Sequence, residues 1–166
     1  MPNKITLITA ERNGGKTTTL MAYLEKRFLE PSELCGVLSL ANPEKTCYRL
    51  KDLTSKEERV VMDINPLPDA RTYKRFFVDD SVFAWMNYQI MQNLSQAKLV
   101  VFDEIGRFEL DGDGLDASFR RALQIPSVEV VATVRKPFLE SVIKEYALDM
   151  FPLEIIECGY GKENES

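Results

Sequence analysis

The segment Ala10-Glu11-Arg12-Asn13-Gly14-Gly15-Lys16-Thr17, set directly behind the apolar run Ile5-Thr6-Leu7-Ile8, constrains this chain more than any other stretch. A hydrophobic strand, a glycine-containing turn and a helix, in that order, are the setting of a phosphate-binding loop of the form G-x-x-x-x-G-K-S/T; only the first glycine is replaced, by Ala10. Such a loop turns backbone N–H groups inward and aims a helix N-terminus at bound phosphates. A chance Gly-Gly-Lys surface turn would not bring the preceding strand and the following amphipathic helix with it. The candidate phosphate-binding residues are therefore Ala10, Glu11, Arg12, Asn13, Gly14, Gly15, Lys16, Thr17 and Thr18.

A second segment completes the chemistry. Lys98-Leu99-Val100-Val101-Phe102 is an apolar strand that ends in Asp103-Glu104. In a parallel sheet, ligands collect beyond the C-terminal strand ends, which is also where a phosphate loop lies. Asp103 is then expected to hold Mg²⁺ together with the hydroxyl of Thr17, and Glu104 to orient or deprotonate a water facing the γ-phosphate. An Asp-Glu pair alone carries little information, because acidic residues often close strands; the Gly-Lys-Thr loop in the same chain gives it weight. Arg135, after the strand expected at 128–133, is a candidate cis arginine for the γ-phosphate, with a surface arginine as the alternative.

Composition narrows the classes. The 166 residues suffice for one domain with a full core, and 45% hydrophobic with 28% charged residues is ordinary globular usage. The chain has no histidine, which excludes serine–histidine hydrolysis and most transition-metal sites in their usual forms. A metal must then be held by oxygen, as Mg²⁺ is. Net charge is −5, so the overall field repels nucleic acid and anionic membrane; neither is indicated as a partner. Cys35, Cys47 and Cys158 are odd in number and widely spaced, and no secretion signal is recognisable. The expectation is a cytoplasmic monomer or weak oligomer.

Periodicity predicts strands at 4–10, 36–41, 47–53, 59–64, 73–78, 98–102, 128–133 and 153–158. Helices are expected at about 15–30, from Asp79 or Asp80 to about 95, around Leu115–Leu123, and behind Pro137. Strand–helix alternation at both ends implies an α/β fold with a mostly parallel sheet covered by helices, and the middle, about 32–78, reads as an antiparallel hairpin-rich insertion at one edge. One domain, 1–158, is expected, followed by a polar tail at 159–166. Trp85 reads as core packing and Arg71, Lys74 and Arg75 as a solvated basic face. Asp111, Asp113 and Asp116 read as turn and cap residues.

The octapeptide Asp103-Glu104-Ile105-Gly106-Arg107-Phe108-Glu109-Leu110 resembles the D-E-I-G-K-M-E-L signature of the THEP family, the cancer-related nucleoside triphosphatases. The resemblance extends through Cys35-Gly36-Val37-Leu38, Tyr48-Arg49-Leu50 and Tyr73–Asp79 to most of the chain. It implies a Rossmann-like P-loop NTPase that hydrolyses ATP, GTP and other nucleoside triphosphates to diphosphates with loose base selectivity. By that similarity Lys16, Thr17, Asp103 and Glu104 take the loop, magnesium and water-activating roles. Two departures stand out. Ala10, Arg12 and Asn13 replace the family's glycine, proline and glycine, and Cys158-Gly159-Tyr160-Gly161 lacks its Asn-Arg segment near the base. The alternatives are a nucleotide or polynucleotide 5′-hydroxyl kinase of the same fold and a nucleotide-dependent interaction module with little turnover.

Overall fold

A computed structural model describes residues 3–11 and 15–158. One nine-stranded sheet organises them, in the order β5-β6-β4-β3-β2-β7-β8-β1-β9. The chain opens with β1 (Ile5–Ala10), every residue of which is buried, and α1 (Lys16–Glu25). It continues through β2 (Leu34–Ala41), β3 (Cys47–Asp52), β4 (Glu58–Asp63), β5 (Arg71–Tyr73), β6 (Phe76–Val78) and α2 (Asp80–Asn93). Next come β7 (Leu99–Phe102), α3 (Arg107–Leu110), α4 (Asp116–Leu123), β8 (Glu129–Arg135), α5 (Leu139–Glu145) and β9 (Leu153–Glu157).

Strands β2, β7, β8, β1 and β9 run parallel, and β3, β4, β6 and β5 extend the sheet antiparallel beyond β2. The parallel strands are apolar runs because helices cover both of their faces. A large cluster holds Ile5, Phe102, Phe119, Val130 and Ile90 on one side, and a smaller one holds Ile8, Leu20, Val101 and Val131 on the other. Among the described residues no helix is long and apolar enough to cross a membrane.

The expected α/β architecture is present, with five local corrections. The first helix stops at Glu25 rather than near 30, because Arg27 turns aside to grip Glu129 through two hydrogen bonds of 2.7 and 2.8 Å. Phe28, expected on the apolar stripe, is left-handed at φ 52° and 94% exposed; Leu29 packs in its place. The 73–78 stretch is two strands in a hairpin, broken where Lys74 adopts φ 54°. Residues 36–41 do not belong to the antiparallel part alone: β2 pairs in parallel with β7 over Leu34–Val37 and antiparallel with β3 over Val37–Ala41. Finally, β8 runs two residues past Thr133, which makes Arg135 its last member.

Candidate functional site

Strand β1 ends at buried Ala10, with Glu11 exposed beside it. Arg12, Asn13 and Gly14 lie outside the described residues. Gly15 re-enters as the N-cap of α1 at φ 81°, a left-handed conformation that glycine adopts without the steric cost of a Cβ. No acidic residue occupies the first turn of α1, so the positive end of the helix is left for an anion. Lys16 is buried, whereas Thr17 and Thr18 are exposed.

The acidic pair stands opposite. Strand β7 sits two places from β1 across β8, and the parallel register sets Phe102 level with Ala132 and Leu7, so Asp103 follows at the C-terminal end of β7, just short of Ala10 where the loop begins. Asp103 is 2% exposed. Its Oδ1 accepts a hydrogen bond from Thr133 Oγ1 at 2.7 Å, and its Oδ2 accepts one from Ser39 N at 3.0 Å. The Thr17 hydroxyl lies 3.4 Å from the same Oδ2. Burial pushes the Asp103 carboxyl up to about 6, against the lowering effect of the Thr133 and Ser39 donors; the neighbouring Glu104 charge adds to the rise and Lys16 reduces it.

Glu104 has φ 73°, which is rare for a residue with a side chain. Its N–H donates to Thr133 Oγ1 at 2.7 Å, and Ile105 N donates to the Thr133 carbonyl at 2.9 Å. The backbone turn brings the half-exposed Glu104 carboxylate to 3.6 Å from Lys16 Nζ. The two segments read separately in the sequence thus meet twice, through Thr17 with Asp103 and through Lys16 with Glu104.

Arg135 lies at the same end of the sheet, its Cα paired with that of Ala10. Its Nε is buried without a hydrogen-bond partner among the described residues, and its guanidinium carbon is 5.7 Å from the Phe138 ring centroid. Arg107 flanks the same ring at 5.3 Å. Glu109 is buried and structural: its two carboxylate oxygens accept from Gly106 N at 2.8 Å and Leu115 N at 2.9 Å, closing the loop behind the acidic pair. A Cβ on Gly114 would fall 2.3 Å from Glu109 Oε2, so only glycine lets the chain pass over this carboxylate.

The remaining candidates have structural duties. Arg71 pairs with Asp80 at 2.6 Å and lies over Phe108; Arg75 donates to the Lys45 carbonyl. Trp85 packs on the core with Arg59 4.2 Å from its ring centroid. Asp111 ends α3, and Asp116 accepts from Arg120 and Tyr146. Two contributors escaped the sequence reading, Thr133 and the backbone of Ser39. The only signal for Thr133 was a hydroxyl inside the apolar run Val130-Val131-Ala132-Thr133-Val134.

The donor set suits Mg²⁺. A hydroxyl and a carboxylate oxygen face one another, and the described residues hold no cluster of three or more His, Cys, Asp or Glu that would cage a cation alone. Magnesium is ordinarily bound by one or two protein oxygens, with water and substrate phosphates completing the shell.

Comparison with known proteins agrees with the geometry. The chain resembles THEP1 from the hyperthermophile Aquifex aeolicus, with a TM-score of 0.70 at 20% identity over 93% of this chain and 89% of that one. It also resembles a human cancer-related nucleoside triphosphatase, with a TM-score of 0.69 at 16% identity over 93% and 88%. At these identities the likeness establishes the P-loop α/β fold. No curated protein matches in sequence. The family model described as NTPase matches residues 5–156, nearly the whole sequence, and the chain belongs to that THEP1-like NTPase family.

Proposed function

We propose that this protein hydrolyses ATP, GTP and other nucleoside triphosphates to the diphosphate and phosphate, with Mg²⁺ as cofactor. The observation that carries the reading is the convergence of Lys16 on Glu104 at 3.6 Å and of Thr17 on Asp103 at 3.4 Å. Thr17 and Asp103 are the residues that would hold the metal. Bound with the triphosphate, Mg²⁺ supplies neutralisation of the charge that gathers on the phosphate oxygens.

The chain's own groups do the rest. Lys16 exchanges its contact with Glu104 for the β- and γ-phosphates, to which the loop N–H groups and the open end of α1 also donate. Glu104, freed from Lys16, accepts a proton from water as the water oxygen bonds to the γ-phosphorus. The bond from that phosphorus to the β–γ bridging oxygen breaks, and the diphosphate leaves with its electron pair. Arg135 stabilises the charge on the γ-phosphate oxygens with its guanidinium N–H donors, of which Nε has no acceptor among the described residues. Three free cysteines suit a reducing, cytoplasmic setting.

Phosphate release across ATP, GTP, CTP and UTP tests the proposal. Glu104→Ala is expected to keep triphosphate binding and to lose turnover by about 10²–10⁴-fold, the usual worth of a positioned base. Wild-type turnover in Glu104→Ala would reject its role. The phosphotransferase alternative would draw on the basic cluster at Arg71, Lys74 and Arg75 and on Arg107 and Arg135; of these Arg71 is engaged by Asp80. An acceptor-dependent product from labelled ATP would restore it.

A further inference from the structure

Strand β8 lies between the strand that leads into the phosphate loop and the strand that ends in the acidic pair. One of its side chains touches both acidic residues. Thr133 is fully buried, and its hydroxyl makes two short contacts, donating to Asp103 Oδ1 at 2.7 Å and accepting from Glu104 N at 2.7 Å. A threonine hydroxyl has one proton and two lone pairs, so a single atom can do both at once. The carbonyl of the same residue takes Ile105 N at 2.9 Å.

We propose that Thr133 is a positioning residue for turnover, one hydroxyl that sets the orientation of Asp103 and Glu104 together. This inference rests on the hydrolytic reading of that pair. Its first action is on Asp103. By taking Oδ1, Thr133 fixes the carboxylate plane and turns Oδ2 toward Ser39 N and the Thr17 hydroxyl, the side where a cation would be held. Its second action is on Glu104. The Glu104 N–H, anchored on Oγ1, holds the backbone at φ 73°, a conformation that a non-glycine residue leaves unless its surroundings over-determine it. That turn is what aims the Glu104 side chain back at Lys16. The three groups are joined directly, so the protein's own hydrogen bonds set their orientation without a nucleotide.

Valine has nearly the shape of threonine without the hydroxyl, so Thr133→Val leaves the core filled while removing both hydrogen bonds. It leaves a buried carboxylate oxygen and an N–H unpaired beside the reaction. Binding of the triphosphate, carried by Lys16 and the loop, is not expected to follow. The inference therefore predicts a kcat loss of about ten- to a hundredfold in Thr133→Val, with KM and the calorimetric affinity for the triphosphate within about threefold of wild type. Thr133→Ser, which restores the hydroxyl, should recover most of the loss.

Amide hydrogen exchange supplies a readout independent of turnover. The Glu104 N–H should be protected in wild type and in Thr133→Ser, and should exchange fast in Thr133→Val. Should Thr133→Val fail to fold, Thr133→Ala is compared with Thr133→Ser in its place, and the wild-type Glu104 amide still decides. Four results would overturn the inference: a fast-exchanging Glu104 amide in wild type, Thr133→Val turning over like wild type, Thr133→Ser as impaired as Thr133→Val, or a loss confined to KM. If wild type releases no phosphate from any triphosphate while the Glu104 amide is protected by Thr133, the hydrolytic reading has failed and the clamp itself has not.

Discussion

The two halves of the sheet handle polar residues in opposite ways. Of the parallel strands, β1 and β7 are buried along their whole length and β8 along all but its ends, while only the edge strand β9 is largely exposed. The buried strands carry Thr133 and Arg135 toward the C-terminal end of β8 and Asp103 just beyond β7, the end of a parallel sheet where ligands collect. In the antiparallel half, β3 and β4 are buried only in part, and polar residues are spread along them. That half is pinned by arginines laid over rings, Arg59 on Trp85 at 4.2 Å, Arg75 on Phe76 at 5.0 Å and Arg71 on Phe108 at 5.3 Å. The parallel half also lays arginines on rings, Arg107 and Arg135 flanking Phe138 at 5.3 and 5.7 Å, but there they stand at the sheet end that carries Asp103. Arg71 is paired with Asp80, whereas Arg135 closes β8 beside Ala10; among the described residues each keeps one buried guanidinium nitrogen without a hydrogen-bond partner, Nη2 of Arg71 and Nε of Arg135.

The largest effect expected from this contrast is catalytic. Arg135→Ala should lower turnover by about ten- to a hundredfold, the worth of one charge-assisted hydrogen bond in the transition state. Arg71→Ala should leave turnover within about twofold, since the Arg71–Asp80 pair is exposed and touches neither Asp103 nor Glu104 among the described residues. Steady-state phosphate release on both variants checks this. Equal losses would erase the distinction between the halves.

A smaller effect concerns stability on the parallel side. Arg27 and Glu129 join the end of α1 to the start of β8, and both side chains are less than a third exposed. Arg27→Ala should cost about 1–3 kcal/mol, less than a fully buried pair because of the residual exposure. Urea unfolding would measure it, and turnover per folded molecule should not change.

A further effect is one of pH. Burial pushes the Glu109 carboxyl up to about 7 from its ordinary 4.5, against the N–H groups that favour its charge. The folded state then binds the proton more tightly than the unfolded chain. The stability this contributes is complete below about pH 4.5 and is lost as pH rises through about 7. Glu109→Gln should flatten the fall in stability between pH 5 and pH 8 in urea titrations, leaving the like-signed contribution of Asp103 at lower pH. A wild-type protein that gains stability over that interval would contradict the assignment.

Much of this site was legible because its two anchors are local patterns. A strand, a Gly-Lys-Thr turn and a helix announce themselves in sequence, as does an apolar strand closed by Asp-Glu. What escaped depended on partners distant in the chain. Thr133 reads as ordinary β-propensity until its hydroxyl is seen against Glu104, 29 residues away. The end of α1 was misread because Phe28 kept the helical period, while Arg27 was drawn off by Glu129, 102 residues on. The dual pairing of β2 could not be read from its sequence, since a strand's neighbours are fixed by the sheet rather than by the strand.

The central claim is that the loop ending in Lys16-Thr17 and the turn at Asp103-Glu104 receive one triphosphate together. Titration calorimetry of ATP and GTP with Mg²⁺ into wild type, Lys16→Ala and Glu104→Ala tests it most directly. Binding in wild type and Glu104→Ala, with loss in Lys16→Ala, is the predicted result. Undiminished binding in Lys16→Ala, or no heat from wild type with any triphosphate, would contradict it.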